Sequence, residues 1–169
     1  MLLLVISLCT ASCSDWLDVS PSNQVNGDKL FEIGDGYRNA LNGIYLNLGT
    51  SSMYGQTMSW GFMDAIAQYY KTDNGSNFIP KTSAYYKSAK FQFEDSDVKT
   101  FISNIWSVSY NNIANCNNLI LNVSEASPSV FKEGEFEKNM IWGEALALRA
   151  FMHFDLLRLF APATATNPS

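Results

Sequence analysis

Histidine occurs once in the 169-residue chain and cysteine three times, at positions 9, 13 and 116. That is too few soft ligands for a structural zinc site of ordinary type, and no disulfide framework can be drawn. Charge is scarce too. Only 16% of the residues are charged, 11 basic against 16 acidic, and Lys and Arg stand singly between Lys29 and Arg158. A net charge of −5 with no basic run repels a phosphate backbone, which counts against nucleic acid as a partner. Also missing is any sustained period-two alternation of strand length, although short hairpins within 76–93 stay open. What is plentiful is apolar material, at 47% hydrophobic and 14% aromatic. Disorder over most of the length is therefore excluded. The chain is one domain's worth or a fragment, and at this size it buries roughly two-thirds of its unfolded surface.

The longest apolar run is at the start. Residues 1–11, MLLLVISLCTA, are too few to span ~30 Å of hydrocarbon and read as the h-region of a signal peptide. The run passes through the small residues Thr10, Ala11 and Ser12 to Cys13, and then to the polar SDWLDVSPSNQ. This resembles a bacterial lipobox, which implies cleavage before Cys13 and lipid on its thiol and new amino group. Residues 1–12 are then a lipoprotein signal peptide, and 13–27, with Pro21 and Gly27, a lipidated tether or wrapped extended segment.

Beyond the tether, apolar residues recur at three and four. Leu30, Phe31, Ile33, Tyr37, Ala40, Leu41, Ile44, Tyr45 and Leu48 predict a first helix over 28–48, stopped by Gly49. Met58, Phe62, Met63, Ala65, Ile66, Tyr69 and Tyr70 predict a second over 53–70, weakened by Gly55 and Gly61. Residues 71–96 mix turn formers with aromatics without a period and read as a long ordered loop, the kind that tends to carry function. A third helix is expected from a cap at Asp97 to about Ser124, and a fourth from about Lys132 to Phe160, stopped by Pro162. The fourth is apolar almost all round from Ala145, so it needs cover on more than one side. Nothing after it could supply that cover, which suggests a truncated piece of a larger protein. The fold expected is all-α, with long antiparallel helices suited to a helix-pair solenoid.

Four strings, ASCSDWLDVSP, ALNGIYLNL at 40–48, IWSVSYNNIANCNNLI at 105–120 and GEALALRAFMHFDLLRLFAP at 143–162, together resemble the SusD/RagB family of outer-membrane nutrient-binding lipoproteins. The resemblance covers the whole chain but only the family's N-terminal part, so 28–169 would be an incomplete SusD-like helical domain. It implies a tetratricopeptide-like scaffold that is not an enzyme. It also implies a glycan or other nutrient as ligand, a TonB-dependent, SusC-like transporter as partner, and a lipid-anchored place on the cell surface.

The residues themselves offer no catalytic pair and call for no cofactor. Asp155 lies two residues from His153, ~200° round the helix, so the two cannot form a dyad, and His153 reads as a core histidine. Glu144, Arg149, Asp155 and Arg158 punctuate an apolar helix and read as buried structural ion pairs. The run Asp73 to Asn77 lacks the spacing of a calcium loop, since Ala84 stands where a bidentate carboxylate is required, and a plain turn is favoured. No metal site is expected. Sugar binding, by contrast, needs flat apolar faces beside amides or carboxylates. Tyr69, Tyr70, Asp73, Asn74, Asn77, Tyr85 and Tyr86 supply both, and they are the candidate ligand-binding residues. Trp106 and Tyr110, at i and i+4, read as core, and Trp60 is undecided. The alternative function is a helical-repeat protein-interaction scaffold without sugar binding.

Overall fold

The computed structural model describes residues 27–71 and 79–162. Among them all regular structure is helical: α1 (Gly27–Leu30), α2 (Gly34–Leu48), α3 (Phe62–Ile66), α4 (Ala84–Ala89), α5 (Ser96–Glu125), a 3-10 turn (Pro128–Val130) and α6 (Gly134–Phe160). The fold is all-α, as expected. The predicted signal peptide, most of the tether, and the residues after Pro162 lie outside the described residues.

The periodic residues of the long helices converge. Leu41, Ile44 and Leu48 of α2, Ile113, Cys116, Leu119 and Val123 of α5, and Ile141, Ala145, Met152 and Leu156 of α6 form one buried cluster, closed by Met53 and Phe131. Burial of each large side chain contributes ~1.5–3 kcal/mol, so this three-helix seam dominates the stability. Helices α5 and α6 run antiparallel, since Trp106 meets Phe160 near one end and Lys138 donates to the Ala126 carbonyl near the other. The Arg38 guanidinium bonds Glu137 at 3.0 Å, joining α2 to the start of α6 and holding that carboxyl below its usual range. A smaller cluster of Phe62, Val98 and Ile105 seats α3 against the first half of α5.

Three sequence expectations are corrected. The first helix is split at 31–33, because α1 folds back over the start of α2; a Cβ on Gly36 would lie 1.5 Å from the Leu30 carbonyl oxygen, so only glycine fits there. The predicted helix over 53–70 survives only as α3, and residues 51–61 form a chain of turns. In that stretch side chains compete for the backbone: Thr57 donates to the Ser51 carbonyl at 2.8 Å, Ser59 to Tyr54 at 2.9 Å, and Trp60 Nε1 to Gly55 at 3.1 Å. With Gly55 and Gly61 already weakening a helix, these bonds decide the outcome. Last, the loop 71–96 contains α4, whose cap Ser83 accepts from the Tyr85 N–H, and the cap of α5 is Asp95, accepting from the Asp97 N–H at 3.0 Å.

Candidate functional site

The turns of 51–61 end at Trp60 and Gly61, and α3 and α4 follow on either side of the undescribed residues 72–78. Where these pieces meet, Trp60, Gly61, Tyr70, Ile79 and Tyr85 line an open cleft of about 250 Å3. Its walls are aromatic, and each ring is held. Trp60 is clamped through its indole N–H on the Gly55 carbonyl, yet 57% of the residue remains exposed. The Tyr70 hydroxyl donates to the Trp60 carbonyl. Tyr85 stacks on Phe101 with ring centroids 5.3 Å apart, and its hydroxyl accepts from Gln56 Nε2 at 2.8 Å. A phenol that accepts keeps its own proton to donate, but what lines the cleft is almost wholly apolar surface.

Glycine is required at the cleft floor. A Cβ on Gly61 would stand 2.8 Å from the Gln56 backbone carbonyl, the same carbonyl that accepts from the Gly61 N–H at 2.8 Å. The turn segment is in turn fastened to α6. The Tyr54 hydroxyl donates to Asp155 at 2.7 Å, the Tyr54 ring packs on Phe151 at 5.1 Å, and Arg158 closes on the other Asp155 oxygen at 2.8 Å. Burial first, and then the bond to Asp155, push the Tyr54 hydroxyl far above its ordinary range.

Of the candidate residues, the structure brings Tyr70 and Tyr85 together. Tyr69 is 79% exposed and takes no part in the cleft lining, and the Tyr86 ring lies instead under the Lys90 ammonium at 5.6 Å. Asp73, Asn74 and Asn77 lie outside the described residues, as does Cys13; Ile79, which follows them in the chain, lines the cleft. Sequence reasoning missed Gln56 and left Trp60 undecided. The one available signal was the Trp60-Gly61 pair, an aromatic beside a residue that admits close backbone approach.

Other expectations change as well. Trp106 and Tyr110 are more than 40% exposed, with centroids 4.7 Å apart. His153 is exposed and meets the Tyr110 ring edge-on, so it is not a core histidine. Asp155 and Arg158 do pair, but Arg149 bonds the Asn117 amide at 2.9 Å, and Glu144 accepts from Tyr45 at 3.0 Å. Among the described residues no three metal-ligating side chains cluster, and no helix is long and apolar enough to cross a membrane.

A family model described as SusD-like, starch-binding associating with outer membrane, matches residues 15–169. No curated protein and no solved structure matches the chain.

Proposed function

The chain belongs to the SusD-like family, and from that membership we propose that it is a non-catalytic glycan-binding protein of the outer membrane. On this reading it is anchored by lipid on Cys13, faces the cell exterior and passes oligosaccharide to a TonB-dependent, SusC-like transporter. The observation that carries the binding role is the aromatic cleft of Trp60, Tyr70 and Tyr85, in which Trp60 is exposed and the two tyrosine hydroxyls are fixed by Trp60 and Gln56. A sugar presents C–H surface on one side, and this almost wholly apolar, aromatic cleft offers a complement to it. Asp73, Asn74 and Asn77 would supply further polar contacts from the segment between Lys71 and Ile79.

Titration calorimetry of the full chain with starch oligosaccharides and other soluble glycans tests the ligand. Stacking contributes ~0.5–1.5 kcal/mol per ring, so Trp60→Ala and Tyr85→Ala should each weaken binding roughly 2- to 12-fold. Unchanged affinity in both variants would remove the cleft from the site. The anchor is tested separately by metabolic labelling with a palmitate analogue, where label retained in Cys13→Ala would refute it.

One observation favours the second reading, a scaffold for protein segments. Phe136, Phe151, Phe154 and Leu157 stand exposed along α6, an apolar surface of the sort a protein partner covers. Failure of every glycan to bind, with the fold intact, would select that reading.

A further inference from the structure

A second groove, remote in sequence from the cleft, runs between α2 and α5. Phe31, Ala40, Gly43, Ile44, Asn115 and Asn118 line about 290 Å3 of open space. One wall is apolar and the other is carboxamide. Along α5, Asn111, Asn115, Asn118 and Asn122 recur at intervals of four, three and four, and they bond in pairs, Asn115 to Asn111 at 3.2 Å and Asn122 to Asn118 at 3.0 Å. The two that line the groove, Asn115 and Asn118, are one helical turn apart, a rise of ~4.5 Å, so both face the same side of α5. A carboxamide carries both a donor and an acceptor, which is what unpaired backbone groups require. Gly43 leaves the opposite wall bare, since a Cβ there would meet nothing within 4 Å.

Three observations name the occupant. The chain enters the fold through α1, and both its last residue Leu30 and the following Phe31 line the groove. The family match begins at residue 15, so the segment before α1 is part of the homologous domain. Within that segment Leu17, Val19, Pro21 and Val25 fall on alternate positions, one side of an extended chain, and proline fixes φ in the extended range. Its 12 residues reach ~40 Å when extended, against ~45 Å for the 30 residues of α5.

We propose that residues 15–26 dock extended along the α2–α5 groove, with Leu17, Val19 and Val25 toward the apolar wall and backbone groups on Asn115 and Asn118. Resting on the lipidation of Cys13 proposed above, the acyl group would then stand two residues from the docked segment and hold this face of the domain toward the bilayer. The docking itself needs no lipid, so its failure would leave the anchor reading standing.

Hydrogen–deuterium exchange with peptide-level mass spectrometry on the full chain tests it. Amides of 15–26 should exchange at least ~10-fold more slowly than free chain. Gly43→Phe, which fills the groove, and the pair Asn115→Ala/Asn118→Ala should each abolish that protection while peptides spanning 141–156 keep theirs. Gly143→Phe, at a glycine on α6 that is equally open, should leave it intact. Free-chain exchange of 15–26 in the parent overturns the proposal, as does protection that survives both groove variants or is lost in Gly143→Phe. Should Gly43→Phe also deprotect 141–156, the asparagine pair decides.

Discussion

Replacing Asp155 by alanine would loosen the cleft from a distance. This buried carboxylate accepts from the Tyr54 hydroxyl, and that bond, with the Tyr54–Phe151 ring contact, fastens the turns of 51–61 to α6. In Asp155→Ala the hydroxyl keeps its half-buried place without an acceptor, at ~1–3 kcal/mol, and the Arg158 contact is lost. Arg158 is 53% exposed and can turn to water, so that contact adds ~0–1 kcal/mol. The total, ~1–4 kcal/mol, centres below the ~3–5 kcal/mol for breaking a fully buried pair. With a urea dependence of ~2 kcal/mol/M the unfolding midpoint should fall by ~0.5–2 M. Tyr54→Phe should cost less, ~1–2 kcal/mol, and a double-mutant cycle should show the two effects are not additive. The same bond has a pH signature. Tyr54 titrates higher folded than unfolded, so its neutral form favours the fold; stability is fully present below pH ~10 and declines above it, at up to ~1.4 kcal/mol per pH unit, less steeply in Tyr54→Phe. An unchanged midpoint in Asp155→Ala, or strict additivity with Tyr54→Phe, would refute the network.

Gly61→Ala should destabilise by ~1–3 kcal/mol and reduce glycan binding together, because its Cβ would press on the Gln56 carbonyl at the cleft floor; urea unfolding and calorimetry on one preparation check both. Tyr69→Ala and Tyr86→Ala, whose rings lie outside the cleft lining, should bind glycan like the parent chain in the same titration. Cys116 is fully buried and burial pushes its thiol up to about 11, so iodoacetamide at pH 8 should leave it unmodified by peptide mapping until denaturant is added. Arg149→Ala should shift the midpoint by less than ~1 kcal/mol equivalent, since its partner is the neutral, exposed Asn117 amide.

Much of the framework is legible in the sequence. The three long helices follow from the spacing of Leu41, Ile44, Ile113, Leu119, Ile141 and Met152, and Gly49 and Pro162 mark ends that the structure keeps within a residue or two. The lining of the candidate cleft is partly legible. Tyr70 and Tyr85 stand out as aromatic faces at the end of the second predicted helix and in the loop after it, and both line the cleft. Tyr69 and Tyr86 carry the same signal and do not line the cleft, because adjacent positions in a turn or helix face different ways.

Local pattern, then, is enough for helix existence, since amphipathic spacing and stop residues act within a few positions of one another, and motif strings are enough for the family. Only the tertiary structure could decide which aromatics stay exposed on α6, an element apolar on nearly every side, because that depends on where α2 and α5 lie and not on its own period. It alone could turn 51–61 into turns, where hydroxyl and indole donors outcompeted a weak helix. The cleft belongs to the same class: Gln56 and Tyr85 are 29 residues apart, Tyr54 and Asp155 101, and contacts at that separation leave no trace in local spacing.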